Sequence, residues 1–355
     1  MRKTQHIGFA DLAAEKRKVK SQFFDQINMI VDWRPISNII NKHYQRGESA
    51  VGCPAYPGLM LFKMGLLQTW YGLSDYEVED RVNDSISFSR FVGLSIDDRS
   101  PDHSTLSRFR TQMTSCGAYP KLLKALNKQL DKHGIMVRTG AIVDASVTES
   151  PFKPKGRTTY EIATDREEEP RSQEEQDKEE KHHVLIRKEQ PGVDSEARWL
   201  KKRGKPMYGY KRNCVTDPEG LVMGVTTTPA NVNEITDLEE VLEQADLPEG
   251  IPLMADKGYA SKKNREMLKR RKLKDRIQRK AVRGRPLTEW EIKFNKLISK
   301  TRYKVERTFG SIKRWFQSTK ARYRGLAKTH TQHVMEAMAY NLYRSPGIVV
   351  SKSIG

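Results

Sequence analysis

Cysteine is scarce in this 355-residue chain. Cys53, Cys116 and Cys214 stand far apart and are odd in number. They offer neither a disulfide framework nor a zinc spacing, so a reducing compartment is expected. Long apolar runs are missing too. The best candidate, "GLMLFKMGLLQTWYGL" (58–73), is interrupted by Lys63 and falls short of the roughly 18 residues that cross a bilayer, so it reads as a buried helix. The opening "MRKTQHIGFADLAAEKRKVK" has no apolar stretch of the kind a secretory leader carries. A cytoplasmic protein is therefore expected. Acid is nearly absent from one long region: between residues 292 and 335, Glu306 stands alone.

Positive charge is what the chain has in excess. Its formal net charge is +19 and its pI about 9.7. A charge of that size points to a polyanionic partner, most simply double-stranded DNA. Residues 261–330 hold twenty-five Lys and Arg against five acids, which concentrates the whole excess in one segment. Phosphate contacts from such a surface would dominate affinity and make it depend steeply on salt. Residues 161–190 show the opposite bias, with eleven acids and six bases and little apolar content. That composition predicts a solvated, disordered insert at about 155–203.

Length and texture predict two domains and a tail: a helical region at 1–135, a mixed α/β region at 136–345, and 346–355. In the first, "PISNIINKHY" and "GLMLFKMGLLQTWYGL" carry apolar residues at helical spacing, and Ser74 suits an N-cap. "RSPDHSTLSRFRTQM" predicts a helix capped by Ser100 with Pro101 in its first turn. Leu106 and Phe109 would face inward, leaving Arg108 and Arg110 outward. A helix-turn-helix-like DNA reader and an ordinary helical bundle both suit that pattern. In the second region, "GAIVDASVT", "KPMYGYKRNCVTD", "LVMGVTTTPAN", "IPLMADKGY" and "DRIQRKA" read as five strands, with helices at "EITDLEEVLEQA", "SKKNREMLKRRK" and about 288–318. The order makes a mixed five-stranded sheet flanked by helices.

Two of those strands carry an acid inside an apolar run, Asp144 and Asp256. If the strands are neighbours, the carboxylates stand about one strand spacing apart, about 5 Å. Bare acids that close would repel, and one would protonate. Mg²⁺, hard and oxygen-seeking, removes the conflict. Glu306 lies beside the apolar stripe of Val305, Phe309, Ile312 and Phe316, between Arg302 and Lys313. A lone acid between two cations is usually a surface salt-bridge partner; its isolation, and its place where the closing helix would meet the active edge, favour a third metal ligand.

"VDAS", "ADKGY" and "RYKVERTFGSIKR", in that order, resemble the DDE transposases of bacterial insertion sequences, specifically the IS4/IS5 group. "TPANVNE" resembles the motif that group carries after its third strand. The closing motif of the group, Tyr-x2-Arg-x3-Glu-x6-Lys, is matched by Arg302, Glu306 and Lys313, with Ser299 in the tyrosine position. The resemblance implies an RNase H-like catalytic domain behind the helical N-terminal domain. It implies that Asp144, Asp256 and Glu306 are catalytic and hold two Mg²⁺ ions, with Mn²⁺ able to substitute. Lys257, Tyr259, Arg302, Arg307, Lys313 and Arg314 would lie along DNA, with Arg108 and Arg110 reading it. The implied activity is binding of terminal inverted repeats, hydrolysis at the element ends and transfer of the 3′-OH ends to target DNA, by a homodimer on paired ends. A nuclease or resolvase of the same fold without strand transfer, and a non-catalytic end-binding repressor, are the rival readings.

Overall fold

The computed structural model describes residues 22–44, 55–95, 97–155, 160–162, 185–187, 191–202 and 204–354. Helices come first: α1 (Gln22–Ile30), α2 (Trp33–His43), α3 (Gly58–Tyr71), α4 (Asp75–Asp84), α5 (Ile86–Val92), α6 (His103–Ser115) and α7 (Ala118–Lys132). α3 is apolar nearly all round, and a helix without a polar face must be surrounded. Leu61, Phe62, Met64, Leu66 and Leu67 are buried in its middle. Ser74 caps α4 as expected, in a full capping box with Glu77. The cap of α6 is a correction. Asp102 takes that place, its carboxylate accepting from the Thr105 N–H at 2.6 Å, and Ser100 and Pro101 lie buried before the helix. A carboxylate at the positive end of the helix dipole displaces the weaker serine cap.

The sheet contains β1 (Ala141–Glu149), β4 (Arg198–Lys202), β5 (Lys205–Thr216), β6 (Val222–Pro229), β7 (Pro252–Ala255) and β8 (Lys274–Ile277). β5 runs antiparallel to β1, while β7 and β8 continue the sheet parallel to it. On the other edge of β5, β6 pairs with residues 210–216 and β4 with residues 205–209. The sheet thus has six strands where five were expected. The sixth, β4, falls inside the stretch assigned to the acidic insert. "RWLKK" has left the acidic bias behind, and a turn at Gly204 (φ 81°) folds it back on β5. Tyr160–Ile162 (β2) and Leu185–Arg187 (β3) also pair, as a separate two-stranded ribbon. The expectation of disorder otherwise falls on residues outside those described.

Helix α8 (Glu234–Ala245) crosses from β6 to β7, and α9 (Lys262–Arg270) from β7 to β8. Two long helices close the chain, α10 (Glu289–Trp315) and α11 (Leu326–Ile354). Residues 346–354 are therefore the end of α11, not a separate tail. α11 is packed against α1, α3, α6 and α7 as well as β5 and β6. Asn341 on α11 bonds both Asn127 on α7 and the backbone of Val222 on β6. One cluster of buried apolar side chains accordingly runs from Phe24 to Ile348.

Candidate active site

Asp144 sits in the middle of β1, and Asp256 immediately follows β7. Ala141 pairs with Leu253 and Ile142 with Met254. Carried on by two residues, this register sets Asp144 level with Asp256. The adjacency of the two acid-bearing strands, expected from their order, is present. Asp256 ends its strand as the cap of the 3₁₀ turn Lys257–Tyr259, accepting from the Lys257 N–H at 2.5 Å. A strand that stops on a capping carboxylate leaves that carboxylate at the strand's end, 39% exposed. Asp144 is less accessible, at 16%. Burial pushes its carboxyl above the usual carboxylate range, while Arg302 and the Ala145 N–H hold it back.

Arg302 lies between the two acids. One guanidinium nitrogen is 2.7 Å from Asp144 and the other 3.8 Å from Asp256. The residue is 8% exposed, and its Nε is buried without an acceptor. Glu306, one turn further along α10, is exposed, and its carboxylate has no hydrogen-bond or ion-pair partner among the described residues. Lys313 lies on nearly the same helix face and donates to the Val147 carbonyl at 3.0 Å. Burial, then the nearby charges of Arg212 and Lys202, lower its pKa.

The remaining expected DNA contacts scatter. Lys257 is exposed beside Asp256. Tyr259 is 1% exposed, so its expected place on the DNA surface is corrected: its ring belongs to the apolar core, with its hydroxyl unpartnered among the described residues. Burial, with the charges of Glu234 and Asp144, holds that hydroxyl's pKa far above the ordinary value. Arg307 leaves α10 on another side and donates to the Glu219 carbonyl at 3.3 Å. Arg314 is exposed, on a different face from Arg302. Arg110, expected to face outward, is turned inward instead. It is 9% exposed, with Asp75 at 2.5 Å, Gln68 at 3.2 Å and the Tyr323 hydroxyl as partners. It fastens α6 to α3 and α4. Arg108 does face outward, donating to the Ser104 and Thr105 hydroxyls.

With that geometry, the comparisons with known proteins converge. Residues 137–342 match the Transposase DDE domain, and residues 12–112 match a Transposase domain (DUF772). The chain is 38% identical over 240 residues to the transposase for insertion sequence element IS1106 of Neisseria meningitidis serogroup B, covering 67% of this chain and 76% of that one. No solved structure matches. The chain belongs to the DDE transposases. Proteins of this family use divalent metal ions.

The acids of this transposase fit such an ion in kind. Asp144 and Asp256 already share one cation, the Arg302 guanidinium, and carboxylate oxygens are what a hard divalent ion takes. Glu306 shares the helix face of Arg302. Among the described residues no three His, Cys, Asp or Glu side chains are gathered closely enough to hold a metal. Glu234, the alternative third acid should Glu306 not serve, is the first residue of α8. It lies 3.6 Å from Lys211, and its charge is felt at both Asp144 and Tyr259. In the sequence it closes the "TPANVNE" motif. No helix among the described residues is long and apolar enough to cross a membrane.

Proposed function

We propose that this transposase binds the terminal inverted repeats of its insertion sequence, hydrolyses the phosphodiester bond at the element ends and transfers the freed 3′-OH ends to target DNA. The observation that carries the reading is Asp144 on β1 level with Asp256 at the end of the adjacent parallel strand β7, both facing one shared cation from α10. Strand order β6-β5-β1-β7-β8, with β5 antiparallel to its neighbours, is that expected of an RNase H-like domain. The Arg302, Glu306 and Lys313 spacing supports membership of the IS4/IS5 group.

In this reading residues 136–345 are catalytic and residues 1–135 contribute DNA recognition, with Arg108 on the exposed side of α6. Asp144, Asp256 and Glu306 would hold the metal, two Mg²⁺ ions with Mn²⁺ able to substitute. A bound divalent ion would supply an activated oxygen nucleophile and neutralise charge building on the phosphoryl group. The protein's own part is positional. Backbone pairing with Cys214 fixes Asp144 in the sheet, and Asp256 is held at the end of a paired strand as the cap of the turn that follows. Arg302 and Lys313 offer cationic groups on the face that meets the scissile phosphate, and Lys257 extends that surface past Asp256. A homodimer is the simplest way to bring two ends together.

Joining of a pre-cut terminal-repeat duplex into a supercoiled plasmid tests this function. Single- and double-end joined products are expected in Mg²⁺. A protein that nicks the plasmid but joins nothing would be a nuclease of the same fold.

A further inference from the structure

We propose that Arg302 is the placeholder cation of the acid pair: it holds Asp144 and Asp256 together in the metal-free protein, and a divalent ion enters by displacing it. The inference rests on reading those two acids as metal-holding, and goes beyond the phosphate-contact role expected of this arginine.

Three observations carry it. First, the guanidinium lies between the carboxylates, 2.7 Å from one and 3.8 Å from the other. A cation bridging two acids relieves the repulsion that a divalent ion would relieve, so the two compete for one place. Second, the hold is uneven. Asp144 is gripped at hydrogen-bond distance, while the contact to the more exposed Asp256 is only an ion-pair distance. The bridge is loosest where solvent can reach it. Third, the Nε of Arg302 is buried and has no acceptor among the described residues. A buried donor without a partner is a cost this arrangement bears, and a different position of the side chain can remove it. A phosphate oxygen on bound DNA is an acceptor of the right charge and geometry for a guanidinium.

The consequence is a thermodynamic coupling. DNA that takes the guanidinium away frees the carboxylates for metal, and metal that takes the carboxylates frees the guanidinium for DNA. Each ligand then strengthens the other by the same factor. The protein without DNA would hold its metal weakly, which limits cleavage away from a bound end.

Mn²⁺ titration of the full chain without DNA, followed by the paramagnetic resonance of the free ion, tests the proposal. Arg302→Gln should bind Mn²⁺ at least about tenfold more tightly than the parent, because the competing charge is gone. Arg302→Lys keeps a charge but cannot bridge, and should fall between them. A folded Arg302→Gln variant that binds Mn²⁺ no better than the parent would overturn the proposal. Should that variant not fold, the parent still decides. With ¹⁵N-arginine labelling, the Arg302 side-chain resonance, identified by its loss in Arg302→Lys, should shift on addition of Mg²⁺ alone; an unmoved resonance at saturating metal rejects displacement. Asp144→Asn should bind Mn²⁺ much more weakly than the parent. If it binds equally well, the acid pair is not the metal site, and the functional reading fails along with this one.

Discussion

Arg108 and Arg110 stand two positions apart on α6 and meet opposite surroundings. Arg108 is exposed, and Arg110 is sealed against Asp75, Gln68 and Tyr323. Removing one partner of a nearly buried pair strands the other charge, so Arg110→Ala should cost roughly 3 kcal/mol in urea unfolding. Arg108→Ala should change stability by no more than about 0.5 kcal/mol while lowering preference for the repeat over random DNA, read by competitive gel shift. Both were expected to face outward, although the spacing holds a sign of the difference. Arg110 follows Leu106 by four residues, which places it on the apolar side of the helix. Its carboxylate partner lies thirty-five residues earlier, and no local pattern reveals it. Tyr259 departs from expectation for a similar reason. Proximity in sequence to Asp256 says nothing of which way a 3₁₀ turn points its third side chain.

At the scale of elements, period-2 apolar runs and capping signals place five of the six main-sheet strands and the long helix α10. The order of strands suggests that β1 and β7 are neighbours. β4 escapes such a reading because its two apolar residues, Trp199 and Leu200, follow an acidic stretch that hides the change of texture. The polar side of α8 is not legible at all. Asp237, one turn after Glu234, is 4% exposed and accepts from the Thr226 hydroxyl at 2.6 Å. Burial pushes its carboxyl from 3.8 up to about 6. An acid whose folded pKa lies above its unfolded value holds its proton better when folded. Its stabilising contribution is full below about pH 4, declines as pH rises to about 6 and is flat beyond. The span corresponds to about 3 kcal/mol at most. Urea unfolding at pH 4, 5, 6 and 7 should show this decline, and Asp237→Asn should remove its share. An unchanged pH profile in the variant would mean that Asp237 titrates normally.

Across the whole molecule, charge and core are divided differently. The apolar core is continuous through both family-matched regions, with α11 joining them. The positive excess, by contrast, belongs to residues 261–330. Binding to random DNA should therefore fall steeply with salt, and Lys313→Ala should make that slope shallower by about one phosphate contact. The neighbouring acid-bearing strands and the basic segment are both legible in the sequence, since each is written in local pattern or composition. The state of Glu306 is not, because exposure of a single helical acid depends on what stands opposite it. Whether Asp144, Asp256 and Glu306 together cut and join DNA is tested most directly by Mg²⁺-dependent cleavage of a labelled terminal-repeat duplex, using Asp144→Asn, Asp256→Asn and Glu306→Gln in turn. Cleavage should fall by about a thousand-fold or more in all three, while binding of the duplex in metal-free buffer survives. An exposed salt-bridge acid would contribute only about 0–1 kcal/mol. If Glu306→Gln cuts at close to the parental rate while the two aspartate variants do not, Glu306 is not the third acid.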